Sequence, residues 1–220
     1  MEFLLWKGFW GIVSNMNRVR CYQDILDQIH HRQMADVVSD LMPVLTDIRS
    51  SVQSDGDSAL IQFTAKFDGV DPNSFDLLVS PEEIQSAYKA LSSSYLDALK
   101  LAYTRITEFH REQLPQNWSK SPRDGVSYGM RYFPLSCVGL YVPGGIAAYP
   151  SSVLMDAIPA QIAGVPKTVM CTPPNADGTV DPSVLVAADL CGVSRIVKCG
   201  GAQAVFAMAY GTDSVPIVDK

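Results

Sequence analysis

The sequence predicts an α/β fold in which a helical N-terminal region precedes a parallel sheet. From residue 136 to residue 219, short apolar runs alternate with segments of helical period. The first three apolar runs end at turn residues, which are Pro143-Gly144-Gly145, Pro173-Pro174 and Gly200-Gly201. Strands that alternate with helices of this length form βαβ units and pair in parallel. The expected arrangement is an incomplete Rossmann-like sheet domain.

The first half of the chain predicts amphipathic helices. Val37 to Val52 keep helical spacing, with Pro43 at a break or a first turn. Asp57 is placed to cap a second helix, which Gly69 ends. Ser80-Pro81-Glu82-Glu83 has the pattern of a capping box with proline in the first turn, so these glutamates indicate a helix start rather than acid–base catalysis. A fourth helix carries the apolar face Tyr95, Leu99, Ala102, Ile106 and Phe109.

The second half supplies the elements of the predicted sheet. A polar loop is expected from residue 114 to residue 125, followed by a short strand at Val126 to Phe133. The strands of the parallel sheet are predicted at Cys137–Val142, Lys167–Thr172, Arg195–Cys199 and Val215–Asp219. The helices are predicted at Ser151–Ala163, Pro182–Leu190 and Ala202–Tyr210, with a kink at Pro159 and a stop at Gly164.

Charge and hydropathy exclude several classes of partner. The 17 Lys and Arg residues are scattered among 23 Asp and Glu residues, and the net charge is −6. Nucleic-acid binding needs a concentrated basic face, so nucleic acid is not an expected partner. The apolar opening stretch Met1 to Val13 is too short to span a bilayer and lacks the features of a signal peptide, so no membrane partner is expected. A small molecule or another protein is the expected partner.

The five cysteines predict a reducing, cytoplasmic setting. Their number is odd and no CxxC pair occurs, which fits neither a disulfide framework nor a zinc ribbon. Most lie in or beside apolar runs, where a free cysteine behaves as a small hydrophobe. No histidine is near any of them in sequence, so a structural role is favoured over a catalytic one.

The candidate binding site lies at the glycine-rich strand ends. In open parallel sheets, ligands bind outside the carboxyl ends of the strands. Gly144, Gly145, Gly200 and Gly201 would let a ligand approach the backbone, and the following helix N-terminus favours an anion such as pyrophosphate. The glycines would equally serve tight turns, and the two interpretations stay open. Neither G-x-G-x-x-G nor a P-loop motif occurs.

Two polar side chains are singled out by position. Tyr141 ends its strand, where the ring could stack on a base or ribose; it could also be a core tyrosine with a surface hydroxyl. Gln203 lies in the first turn of its helix, where a buried amide needs partners; it could also be solvated or act as a cap. His30, His31 and His110 form no metal motif. No catalytic residue and no metal ligand is assigned.

Several stretches of this chain resemble histidinol dehydrogenases. In the second half these are Gly139–Gly145, Tyr149–Met155, Ile158–Gly164, Gly200–Ala204, Ala209–Thr212, Val215-Pro216 and Val218–Lys220. In the first half they are Gly56–Leu60, Thr64–Gly69 and Phe109-His110. The resemblance runs from about residue 45 to the end, and the opening 20 residues show none.

The resemblance implies a zinc-dependent oxidation of L-histidinol to L-histidine with NAD, carried out by a homodimer. Tyr141 and Gln203 stand at the family's NAD-contacting positions. Ile146 departs from the Thr or Ser that is usual there, so a polar contact would be weakened. The family's catalytic Glu-His pair and its zinc ligands would follow Lys220, so a front half without activity of its own is expected.

The predicted organisation has three parts. Residues 1–20 are an unmatched extension, residues 21–125 are the mostly helical region of the first domain, and residues 126–220 are a truncated parallel α/β domain of the NAD-binding type. Two other functions stay open: a non-catalytic NAD-binding or regulatory fragment, and a distant aldehyde-dehydrogenase-type enzyme that uses a cysteine. If the protein comes from a plant, a plastid location is the alternative to the cytoplasm.

Overall fold

A computed structural model describes residues 34–144 and 147–220, with side chains from residue 41 onward. The predicted extension at residues 1–20, Cys21 and the pair His30-His31 lie outside the described residues, as do Gly145 and Ile146. Residues 34–44 belong to one structural unit, and Leu45–Lys220 form another, which holds the sheet.

The described residues contain seven helices and five strands. The helices are α1 (Met34–Asp55), α2 (Asp57–Asp68), α3 (Pro81–Ala90), α4 (Ser93–Arg111), α5 (Pro150–Ile162), α6 (Pro182–Leu190) and α7 (Gly201–Tyr210). The strands are β1 (Trp118–Arg123), β2 (Val126–Met130), β3 (Val138–Tyr141), β4 (Thr168–Thr172) and β5 (Arg195–Lys198). The predicted α/β fold, with helices before a parallel sheet, is confirmed.

The parallel sheet has three strands in the order β3-β4-β5. Val138 pairs with Thr168 on one side of β4, and Val169 pairs with Arg195 on the other side. All five residues of β4 are buried. A strand buried on both faces needs an apolar run, and the three inner residues of β4, Val169, Met170 and Cys171, supply it.

Alternate strand residues face two separate cores. One face of the sheet packs with α3, α4, α5 and α6, and its residues in or directly beside the strands are Leu140, Val142, Met170 and Ile196. The opposite face packs with the second half of α1, with α2 and with α7, and its residues in or directly beside the strands are Cys137, Val169, Cys171, Val197 and Cys199. Because successive side chains in a strand point to opposite faces, this alternation places helices on both sides of the sheet.

Both edges of the sheet are covered by extended segments. At the β5 edge, the Lys198 N–H donates to Leu77 O (2.7 Å) and the Val79 N–H donates to Ile196 O (3.0 Å). At the β3 edge, the Asp219 N–H donates to Cys137 O and the Gly139 N–H donates to Lys220 O, both at 2.9 Å. Unpaired edges invite pairing with other chains, and these segments occupy them.

The prediction of a strand at Val215–Asp219 is wrong, although the segment does lie along β3. Pro216 has no N–H to give to a ladder, and the Val218 N–H turns to Met208 O in α7 (3.0 Å). The Asp219 carboxylate accepts from the N–H groups of Ser136 (2.7 Å) and Cys137 (2.9 Å). Residues 215–219 are therefore held beside β3 by bonds to a side chain and to α7 instead of by a regular ladder of backbone hydrogen bonds.

The polar loop predicted from residue 114 to residue 125 is also wrong in part, because residues 118–123 form β1. This strand pairs with β2 in an antiparallel hairpin that turns at Gly125, whose φ is 75°. Every residue of both strands is exposed, and the sequence Trp-Ser-Lys-Ser-Pro-Arg of β1 lacks the apolar alternation that marks a half-buried strand. The strand predicted to reach Phe133 ends at Met130, which pairs with Trp118, the first residue of β1.

Two predictions about helix boundaries are wrong. Pro43 lies inside α1 and does not break it. Asp57 is the first residue of α2 rather than its cap, which is Gly56. The Asp57 carboxylate instead accepts from the Ser214 N–H (3.2 Å) and hydroxyl (2.6 Å), a partner 157 positions away that no local pattern reveals. The predicted stop at Gly69 is confirmed, with φ 77°.

The capping box at the start of α3 is confirmed and has a second role. The Glu83 N–H donates to Ser80 Oγ (3.2 Å), and Glu83 Oε2 accepts from the Ser80 N–H (2.8 Å). Glu83 Oε1 also receives Nζ of Lys198 at 3.1 Å, and this lysine side chain is only 6% exposed. One carboxylate thus caps a helix and neutralises a buried charge at the end of β5.

Glu83→Ala is expected to lower the unfolding free energy by about 2–3 kcal/mol, because it leaves Lys198 buried without a counter-charge and opens the cap. Denaturant unfolding monitored by circular dichroism measures the change. Glu82→Ala, one residue earlier on an exposed position, is the matched control and should shift the unfolding free energy by less than about 0.5 kcal/mol. Equal losses for the two variants would contradict the proposed role of the Lys198 pair.

Candidate functional site

The carboxyl ends of the three parallel strands meet at one edge of the sheet. Tyr141 ends β3, Thr172 ends β4 and Lys198 ends β5. Tyr141 pairs with Cys171, and Thr172 pairs with Lys198, so the loops that follow the strands begin at nearly the same level. Ligands bind in this position in open parallel sheets.

Gly144 and Gly200 pack against the same proline. A Cβ on Gly144 would stand 2.7 Å from Cγ of Pro173, and a Cβ on Gly200 would stand 2.6 Å from Cβ of Pro173. Pro173 follows the central strand and lies between the two loops. Close packing between the two loops therefore requires glycine at both positions. This requirement is separate from the two interpretations that the sequence left open, which were close approach of a ligand and a tight turn.

Gly201 and the two singled-out polar residues come together at the start of α7. The Gly201 N–H donates to the Tyr141 hydroxyl at 3.1 Å, across 60 positions of sequence. Gly201 has φ 66°, a conformation that favours glycine, and the Gln203 Oε1 lies 2.8 Å from the position that a Cβ on Gly201 would take. Tyr141 is 39% exposed and Gln203 is 1% exposed. Gln203 is thus neither solvated nor a cap, and none of the described hydrogen bonds involves its amide.

Two cavities adjoin these loops. One of about 140 Å³ lies beside Gly144 and is lined by Pro143, Ala147, Ala148, Thr172, Pro173, Asn175, Val180, Asp181 and Val184. Another of about 490 Å³ lies beside Lys198, with Phe75, Ser80 and Thr179 in its wall. The Lys198 Nζ in that wall is paired with Glu83 and lies 5.4 Å from the centre of the Phe75 ring. Its charge is therefore already compensated.

The four described cysteines are buried free thiols. Burial raises the pKa of Cys191 to about 12 and that of Cys199 to about 12, where the nearby Asp68 charge adds to the effect. Burial also raises the pKa values of Cys171 and Cys137. A catalytic cysteine needs a lowered pKa, so these thiols agree with the structural role predicted for them and oppose a cysteine-dependent mechanism at this edge.

Two buried polar atoms on α2 lack a hydrogen-bond partner among the described residues, and no sequence pattern indicated them. Thr64 Oγ1 and Asp68 Oδ2 are buried without a hydrogen-bond partner in the described part of the chain. Burial raises the pKa of Asp68 above the usual value for aspartate. The two residues are four positions apart and therefore on one helix face, but the sequence pattern marked that face only as core packing.

The part of the chain that the structure describes holds no cluster of metal ligands. Among residues 34–144 and 147–220, no three His, Cys, Asp or Glu side chains converge closely enough to hold a metal ion. His110 lies in the last turn of α4, and its Nδ1 is 2.7 Å from Gln113 Oε1. Glu82 and Glu83 belong to the start of α3.

A family model described as histidinol dehydrogenase matches residues 31–220. The chain belongs to the histidinol dehydrogenase family. The match starts earlier than the resemblance near residue 45 had indicated, and it confirms the family that the motifs indicated. It covers the strand-end loops together with α2, α3 and α4.

Individual histidinol dehydrogenases give the same result. The enzyme of Synechococcus sp. is 46% identical over 194 residues, which are 88% of this chain and 45% of that protein. The enzyme of Methanothermobacter thermautotrophicus is 50% identical over 183 residues, 83% of this chain and 42% of that protein. A crystal structure of histidinol dehydrogenase from Elizabethkingia anophelis superposes with a TM-score of 0.78 at 35% identity, covering 81% of this chain and 41% of that one. The chain spans less than half the length of these histidinol dehydrogenases.

Within the described residues, no helix has the length and apolar composition to cross a membrane.

The packing around Pro173 makes a testable prediction about the two glycines. Gly144→Ala and Gly200→Ala are each expected to lower the unfolding free energy by about 1–3 kcal/mol, because the added methyl overpacks the loops. In a Pro173→Ala background, Gly144→Ala should lower the unfolding free energy by less, because the atom nearest to its added methyl is Cγ of Pro173, which alanine lacks. Gly200→Ala should lower it by as much as before, because the atom nearest to its added methyl is Cβ of residue 173, which alanine retains. A double-mutant cycle by denaturant unfolding measures both couplings, and equal couplings would contradict this packing.

Proposed function

We propose that this chain supplies the NAD-binding part of an enzyme that oxidises L-histidinol to L-histidine. Family membership supports the reaction class. The observation that carries the proposal is the convergence of Tyr141 and Gln203 on the first turn of α7, at the carboxyl edge of a parallel sheet. An oxidoreductase of this kind uses the cofactor as hydride acceptor, and the protein supplies binding and orientation.

The described residues fit a dinucleotide at this edge. The start of α7 offers backbone N–H groups and a partial positive charge to a phosphate. The exposed Tyr141 ring offers a flat surface to a base or ribose, and the buried Gln203 amide offers a donor and an acceptor. Gly201 leaves the first residue of α7 without a side chain, and Gly144 and Gly200, also predicted for this site, adjoin it while they pack on Pro173. Gly145, also predicted for this site, lies outside the described residues.

The described residues do not fit the zinc ion that the resemblance implies. No set of three potential ligands converges in this part of the chain, and the cysteines there are buried with raised pKa values. We therefore assign no zinc ligand to the described residues and no chemical step that would depend on one. Proton transfer from the alcohol is likewise assigned to none of them.

Histidinol as substrate, a homodimeric assembly and a cytoplasmic location complete the proposal. The first two follow the resemblance alone. The location is supported by the four described cysteines, all free thiols, which suit a reducing compartment.

NADH formation by the purified chain, supplied with histidinol, NAD and zinc, tests which part of the reaction this chain carries. We expect NAD binding without turnover, because the described residues bring no acid–base pair or metal site to the cofactor edge. Turnover that chelation abolishes would show that the chain builds its own metal and base site, contrary to the assignment above. Absence of NAD binding would reject the proposed cofactor site.

Tyr141→Ala is expected to weaken NAD binding about 10-fold or more, because stacking of a base on an aromatic ring contributes about 1–3 kcal/mol. Titration calorimetry measures the affinity. Tyr95→Ala is the matched control, since Tyr95 is 41% exposed on α4 while Tyr141 is 39% exposed at the site. Unchanged affinity in Tyr141→Ala would remove this residue from the site.

A further inference from the structure

We propose that the Tyr141 hydroxyl occupies the position of a ligand phosphate oxygen on the Gly201 N–H, and that an incoming phosphate displaces it. The inference rests on the proposed dinucleotide site and adds that the Tyr141 hydroxyl competes with the ligand for the Gly201 N–H. The ring and the hydroxyl of Tyr141 then have opposite effects on ligand affinity. The ring raises it by stacking, and the hydroxyl lowers it because it occupies the backbone N–H that the ligand needs.

The first argument is the donor inventory at the start of α7. This helix has Gly200 as its N-cap residue, so no cap side chain is available to its first N–H groups. Among the described hydrogen bonds, the Tyr141 hydroxyl is the one side-chain acceptor on this first turn, at 3.1 Å from the Gly201 nitrogen. An N–H group makes one good hydrogen bond, so an anion that uses this donor must compete with the phenol.

The second argument is the position of the Gln203 amide. Its side chain is 1% exposed, and its Oε1 lies under Gly201, 2.8 Å from the point where a Cβ would stand. The amide and the occupied N–H thus lie on the same turn of one helix. An amide has both a donor and an acceptor, so a ligand that replaces the Tyr141 hydroxyl at this turn approaches a second polar group.

The third argument is exposure. Tyr141 is 39% exposed, so its ring has room to turn without breaking into either core. Val142, the next residue, is fully buried and fixes the end of the strand. The movement required is therefore a side-chain rotation at a rigid strand end rather than a shift of the backbone.

Removing only the hydroxyl separates this role from a direct contact. Tyr141→Phe keeps the ring and frees the Gly201 N–H, so inorganic pyrophosphate, which has no base to stack, is expected to bind about 5-fold more tightly than to the unsubstituted chain. Titration calorimetry measures this affinity. Tyr95→Phe is the control and should leave it unchanged, because Tyr95 lies on α4.

A second readout needs no ligand. In the free chain, Tyr141→Phe is expected to move the Gly201 amide signal in a ¹⁵N–¹H correlation spectrum and to speed its hydrogen exchange, because the N–H loses its acceptor. The same spectrum reports whether the variant is folded. An unmoved, equally protected Gly201 amide would mean that the phenol does not hold this donor, which overturns the inference.

The remaining outcomes separate this inference from the proposed function. If the unsubstituted chain binds NAD but Tyr141→Phe binds pyrophosphate equally or less tightly, the hydroxyl is not a competitor and only the proposed function survives. If pyrophosphate binding tightens in Tyr141→Phe but NAD does not bind the unsubstituted chain, the displaced hydroxyl is supported and the dinucleotide assignment fails. If pyrophosphate binds neither form, the anion site itself is rejected.

Discussion

The structure depends on the central strand β4, which is buried on both faces and fixes the two neighbouring strands in register. Burial on both faces forces side chains to alternate between two cores, so helices must cover both sides of the sheet. The same pairing brings the ends of the three strands to one level. The candidate site therefore exists because of sheet register rather than because of any single motif.

Long-range side-chain bonds hold the rest of the chain against this sheet. Glu83 joins the start of α3 to Lys198, Asp57 joins the start of α2 to Ser214, and Asp219 holds the segment before β3. Each carboxylate accepts from at least one group that is buried or partly buried, namely Lys198 Nζ, the Ser214 hydroxyl or the Cys137 N–H. Lys198 itself ends β5 at the carboxyl edge of the sheet, and at the same edge Tyr141 and Gln203 both adjoin Gly201.

The glycines at this edge serve two separate requirements. Gly144 and Gly200 let the neighbouring loops pack on Pro173, whereas Gly201 has a positive φ and opens the helix that would receive a phosphate. The adjacent Gly200 and Gly201 thus meet different requirements, one of loop packing and one of backbone conformation. Substitution at the first should change stability, and substitution around the second should change ligand affinity.

The sequence by itself determined the α/β class, the three parallel strands, the capping box at Ser80 and the family. These follow from local periodicity, local hydrogen bonding and ordered motifs, which need no knowledge of distant contacts. It also marked Tyr141 and Gln203 by their position at the ends of elements. It missed β1, whose exposed residues carry no apolar alternation.

Only the tertiary structure decided what those residues touch. The bond from the Gly201 N–H to Tyr141, the pairing of Glu83 with Lys198 and the packing of both glycines on Pro173 join residues that are far apart in sequence. The bonds from the Ser136 and Cys137 N–H groups to the Asp219 carboxylate, found where a last strand was predicted, also join residues that are far apart in sequence. The physical reason is that register in a parallel sheet is set across long crossover connections, so the partners of a strand-end residue cannot be derived from its neighbours in the chain.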